Sequence, residues 1–107
     1  MSQQRVAVGT TPVIIANVNA RRRSMSVTMV PSSIETGNIG RVHIGKGFPP
    51  SNVLGAANQG DPLNAGSNIT DSENYPDDPT VFKGQWWAVA DQANQVITVD
   101  EIIADIA

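Results

Sequence analysis

Residues 24–30, SMSVTMV, place Met25, Val27 and Met29 on one side of an extended chain and Ser24, Ser26 and Thr28 on the other. That period-two alternation is the pattern of a strand with one wet face and one buried face. The same chemistry recurs in short runs on both sides of it: RVAVG (5–9), PVIIANV (12–18), RVHIG (41–45), NIT (68–70), VFKGQWWAVA (81–90) and QVITVDEII (95–103). All are rich in Val, Ile, Thr or aromatics and are separated by Gly, Pro, Asn and Asp, which punctuate strands. In the last run, Val96, Thr98 and Asp100 alternate only weakly with Ile97, Val99 and Glu101, so cover on both faces is expected there. No long amphipathic helix is legible. The ending DEIIADIA reads as continued strand or a docked tail, because its β-branched isoleucines disfavour helix. The expected fold is all-β: a single-domain antiparallel β-sandwich over residues 1–107, jelly-roll-like, with about seven to eight short strands. The stretch from about 47 to 79, dense in Pro, Gly, Asn and Ser, is expected to be a long central loop, functional or ordered by a partner.

At 107 residues the chain is long enough for one domain with a core of its own. It has no cysteine, which removes disulfides, thiolate metal sites and a Cys nucleophile, so stability must come from packing or assembly. The start, MSQQRVAVGT, lacks the apolar run of a signal peptide, and no stretch approaches the roughly 20 apolar residues of a membrane span. A soluble protein made in the cytoplasm is expected. The net charge of −3 hides a strong division. Residues 1–50 carry six Lys or Arg against Glu35 alone, a balance of +5, and residues 51–107 carry Lys83 against nine Asp or Glu, a balance of −8. The two halves attract, within one fold, between copies or against a larger partner. A pI near 4.8 argues against a general nucleic-acid binder.

The residues that carry chemistry in other proteins are sparse here. His43, the one histidine, should oppose Val42 and Ile44 on a strand and lie at a surface or interface. No nucleophile signature such as GxSxG occurs, and the protein is expected not to be an enzyme and to need no cofactor. DSENYPDDP (71–79) groups Asp71, Glu73, Asp77 and Asp78, yet its spacing does not match an EF-hand loop; an acidic surface facing a basic one is expected, with no metal. GKG (45–47) continues as FPPS rather than opening a helix, so it is a turn and not a phosphate loop. Trp86 and Trp87 are adjacent and must point to opposite faces of a strand. One belongs to the core, and the other to a loop-covered, surface or interface position.

In order and spacing, NARRRSMSVTMV, VHIGKGFP, PLNAGSNIT, KGQWWAVA and QVITVDEII, within residues 5–103, resemble a family of small virion proteins of tailed bacteriophages. These are capsid decoration, or cement, proteins and related head or tail accessory modules. The resemblance implies a β-sandwich or jelly-roll that binds the outer capsid surface as a homodimer or homotrimer. Its expected partners are the major capsid protein and itself, without direct nucleic-acid or membrane contact, on virions assembled in the host cytoplasm. One departure is the segment after the second strand, VPSSIETGNIG, where a compact turn would be expected. The alternative reading is a tail-fibre or spike module that binds a host surface glycan through Trp86 or Trp87. A third is a nucleic-acid-binding accessory protein gripping phosphates with Arg21, Arg22 and Arg23. Candidate partner-binding residues are Arg21, Arg22, Arg23, Arg41, Asp71, Glu73, Asp77, Asp78, Trp86 and Trp87. On a regular strand Arg22 shares a face with Ser24, and Arg21 and Arg23 share the other with Met25. A strand beginning at Ser24 would instead leave the three arginines as a basic rim at its mouth, pairing with acidic groups of a neighbouring copy or of the capsid.

Overall fold

The computed structural model describes residues 2–75 and 78–104. Eight strands follow one another: β1 (Ser2–Val8), β2 (Val13–Ala16), β3 (Arg22–Met29), β4 (Arg41–Lys46), β5 (Asp61–Asn64), β6 (Asn68–Ser72), β7 (Trp86–Ala90) and β8 (Gln95–Ile103). No helix occurs among the described residues. The strands form two antiparallel sheets of four, in the orders β1-β8-β3-β6 and β2-β7-β4-β5. Strand β1 pairs with β8, β2 with β7, β3 with β6 and β4 with β5. The chain is thus one long hairpin, turned round between β4 and β5 and rolled so that each arm alternates between the sheets.

The alternation of SMSVTMV positions the core. Met25, Val27 and Met29 are fully buried and cluster with Ile97 and Val99 of their own sheet and with Val42, Ile44, Leu63, Trp86, Ala88 and Ala90 of the other. Each full burial of a Val, Ile or Met stabilises by about 1.5–3 kcal/mol, and with no cysteine this interior is the main source of stability. The opposite face of β3 carries Ser26 and Thr28, which join Asn68 and Thr70 of β6 in a ladder of side-chain hydrogen bonds. The all-β sandwich expectation matches the two-sheet architecture.

Four local expectations are corrected. The stretch 47–79 is not one loop, because β5 and β6 lie within it. Strand β5 reads DPLN, with Leu63 its one inward apolar residue, paired with Val42; nothing local predicts it, and Pro62 is tolerated because β5 is an edge strand. Second, only Trp86–Ala90 of the run 81–90 is strand. The segment before it leaves the sheet and turns backbone carbonyls toward Arg22.

Third, His43 is fully buried, as are its neighbours Val42 and Ile44. The β4–β5 loop, residues 47–60, folds over the outer face of its sheet, with Asn52 Nδ2 donating to the Ala90 carbonyl (3.0 Å) and Gln59 O lying 2.9 Å from His43 Nδ1. Gly45 and Gly60 permit this cover. A Cβ on Gly45 would collide with the Phe48 carbonyl, and one on Gly60, at φ +69°, with that of Ile44. Fourth, β3 starts at Arg22, and its register against β8 shifts between Arg22 and Ser24. A bulge of this kind reverses side-chain parity, so Arg22 points inward as Met25 does, and not outward with Ser24.

Candidate functional site

Up-and-down alternation brings the β2–β3 connection, the segment before β7 and the end of β8 to one end of the sandwich, and the arginine run lies there. Arg22 is 1% exposed. Its Nε donates to Glu101 Oε2 at 2.7 Å, Nη1 to the carbonyls of Gly84 (2.8 Å) and Phe82 (3.1 Å), and Nη2 to that of Asn17 (2.5 Å). Lys83 Nζ in turn donates to the Arg22 carbonyl at 2.8 Å. One guanidinium fork therefore ties β8 of one sheet to the segment leaving β2 and the segment entering β7 of the other, a geometry a lysine ammonium cannot supply. Removing one partner of such a buried pair costs about 3–5 kcal/mol.

The flanking arginines have separate partners. Arg21 is exposed and Nη2 donates to the Ala104 carbonyl (2.7 Å). Arg23, displaced outward by the bulge, pairs with Glu73 at 2.6 Å. Arg41 lies toward the opposite end, 3.3 Å from Asp91, and its Nε donates to His43 Nε2 at 3.1 Å. That bond and the contact with Gln59 O fit an imidazole carrying its hydrogen on Nδ1. Asp71 faces Lys46 at 3.8 Å and accepts the Phe82 N–H at 2.9 Å; Arg5 pairs with Glu35. The division of charge along the chain is thus used inside one molecule. For Arg23 the acidic partner belongs to the same chain's DSENYPDDP segment.

Asp78 is 1% exposed and closes a loop on itself. Oδ2 accepts the Asn74 N–H (3.0 Å), and Oδ1 accepts the N–H and hydroxyl of Thr80 (2.9 and 2.7 Å). These bonds favour the ionised form and hold its pKa at about 2, well below the ordinary 3.8; the Asn74 N–H contributes most, followed by Thr80. Asp78 is therefore committed to its own loop. Asp77 lies outside the described residues. Among the described residues no group of three or more His, Cys, Asp or Glu is placed to hold a metal ion.

The tryptophans divide as adjacent strand residues must. Trp86 is fully buried between the sheets, edge-on to Phe82 (centroids 6.5 Å apart) with Lys46 Nζ 5.1 Å from its ring centre. Trp87 is half-buried on the outer face beside exposed Ile14, its partner in β2. Only Trp87 offers any surface to a ligand.

Sequence reasoning missed the polar residues that hold the other end. Asn38, 1% exposed, donates to the Val30 and Val96 carbonyls (2.7 and 2.9 Å) and accepts the Val96 N–H (2.7 Å). Gln95 likewise accepts the Gly40 N–H and donates to Gly37 O. Together they dock the long β3–β4 loop against β8. An amide inside a loop, as Asn38 is, or at the first position of a strand, as Gln95 is, carries no local mark of such a role. Comparison of the chain with protein-family models, curated proteins and solved structures finds no match.

Proposed function

We propose that the protein is a structural, non-enzymatic virion component that decorates a bacteriophage capsid, binding across major capsid protein subunits as a homo-oligomer. The observation that carries this reading is the nested pairing of β1 with β8, β2 with β7, β3 with β6 and β4 with β5 across two four-stranded sheets. Read as jelly-roll-like, this order supports the proposal, because jelly rolls are an architecture used by viral capsid proteins, and it agrees with the ordered strand motifs that resemble decoration proteins. Many identical copies, each adding modest contact area across a seam between subunits, would strengthen a shell against internal DNA pressure through avidity.

The internal pairing of the arginines changes the expected chemistry of contact. Arg22 has no surface to offer, and Arg23 is engaged by Glu73. Exposed apolar side chains are better suited to be covered, Ile34 and Ile39 on the β3–β4 loop being 72% exposed each. The test mixes purified protein with undecorated capsids and measures bound copies and the temperature of shell rupture. Saturable binding in a lattice-matched copy number with a raised rupture temperature is expected, and Ile34→Ser with Ile39→Ser should lower it more than Arg21→Ala. Unsaturable binding with unchanged rupture would overturn the reading.

A further inference from the structure

On one side of the sandwich the edge strands β1 and β2 stand next to each other without pairing, and a cleft of about 260 Å³ opens between them. Gln4 of β1 and Glu101 of β8 form one wall, Asn17 and Asn19 beyond β2 form the other, and Ile15 and Val99 lie at its apolar base. We propose that this cleft is a binding site for a small neutral polyhydroxylated ligand, a single sugar ring or short polyol, held between the Glu101 carboxylate and the side-chain amides opposite.

Glu101 is oriented by the buried Arg22, which takes Oε2 at 2.7 Å; among the described residues no hydrogen bond occupies Oε1. The side-chain amides of Gln4 and Asn17 are likewise without partners among the described residues, and Asn19 uses only Oδ1, accepting the Arg21 N–H at 3.0 Å. The site thus offers a fixed acceptor facing amides that both donate and accept. A hydroxyl group matches both, donating to a carboxylate while accepting from an amide. The Ile15 and Val99 side chains suit the C–H face of a ring.

The chemistry also sets aside other ligands. An anion would meet the Glu101 carboxylate with no Lys or Arg side chain among the lining residues, and the Arg22 behind it already gives four of its five N–H groups to Glu101 and three carbonyls. One carboxylate is too few oxygens for calcium. A nucleobase would find no aromatic wall to stack on. The volume lies just below the roughly 300–1,000 Å³ of clefts that hold drug-sized molecules, in keeping with one ring. This inference is independent of capsid binding.

The test is an amide-resolved NMR titration of the intact protein with glucose, galactose, mannose, N-acetylglucosamine and glycerol. Glucose 6-phosphate and a short extended peptide are the contrasting probes. Saturable shifts confined to Gln4, the 15–19 segment and 99–101 are expected for at least one neutral probe. Gln4→Ala with Asn17→Ala should weaken that binding at least about tenfold, as loss of one or two hydrogen bonds implies, while leaving the rest of the spectrum unchanged. Those two residues are exposed and do not hold Arg22 through their side chains, so folding is retained where Glu101→Gln would endanger it. No shifts with any neutral probe, equal or tighter binding of the phosphate or the peptide, or binding indifferent to the double substitution would each overturn the proposal.

Discussion

Three consecutive arginines have three separate fates, decided by one inserted residue. The bulge at the start of β3 turns Arg22 inward and Arg23 outward, so equal charges have unequal energetic weight. Arg22→Ala should lower stability by about 3–5 kcal/mol, because it leaves Glu101 and three carbonyls without their donor. Arg23→Ala should change it by at most about 1 kcal/mol, since its partner pair is half in solvent. Urea denaturation of the two variants checks the contrast, and equal losses would refute the assignment. Asp78 provides a pH test. Its folded pKa of about 2 lies below the ordinary 3.8. Its contribution is therefore complete above about pH 4 and lost as pH falls toward 2. Hydrogen exchange of the Asn74 and Thr80 amides should accelerate relative to the core across that window, and in Asp78→Asn the pH-dependent step should vanish. A carboxyl carbon resonance of Asp78 titrating near 4 would contradict the loop geometry.

Among the elements, the 47–60 loop does the most unexpected work, because it converts the outer face of a sheet into interior. His43 and its partner Val89, on the face opposite the core residues Val42 and Ile44, are buried as a result, and the alternation normally expected of β4 disappears. Gly45→Ala should force the loop off this face, since the new Cβ meets the Phe48 carbonyl. A loss of about 1–3 kcal/mol is expected, as for other overpacked sites, with faster hydrogen exchange across 47–60 and little change in β3 or β8. Uniform destabilisation without local exchange would mean that the loop is not an independent cover. The strand reading at 24–30 was legible because Met25, Val27 and Met29, at alternate positions, all face one core. Strand β5 was not, because a single inward leucine beside Asp, Pro and Asn has no local preference for strand and is held by pairing with β4.

For the whole molecule, the rolled hairpin pairs residues near one end of the chain with residues near the other, as Ser2 with Glu101 shows. Non-local pairing of this kind carries a large loop-closure cost before contacts offset it, so refolding should take milliseconds to seconds. Stopped-flow fluorescence of the buried Trp86 measures it, and a microsecond phase accounting for the full amplitude would be inconsistent with the topology. The charge division, read along the chain, becomes a set of internal pairs in space: Arg22 with Glu101, Arg23 with Glu73, Arg41 with Asp91 and Lys46 with Asp71 join the two halves, and Arg5 with Glu35 pairs within the first. Duplex DNA should accordingly bind no more tightly than the weak end of the non-specific range, about 10⁻⁴ M at physiological salt. Fluorescence anisotropy with a labelled duplex checks this, and salt-sensitive micromolar binding abolished by replacing Arg21 and Arg23 would restore the nucleic-acid reading.

The sequence by itself determined the all-β class, the inward faces of β3 and the existence of most strands, because side-chain alternation and turn residues are local properties of the chain. It also determined that opposite charges would meet, and that one tryptophan would be interior. Tertiary structure alone decided which arginine is buried, which face of β4 is covered and where two unpaired edges leave a cleft. Each of those depends on register and on segments distant in sequence: a one-residue bulge reverses the side of every residue before it, and a loop either covers a sheet or leaves it wet according to what it meets there.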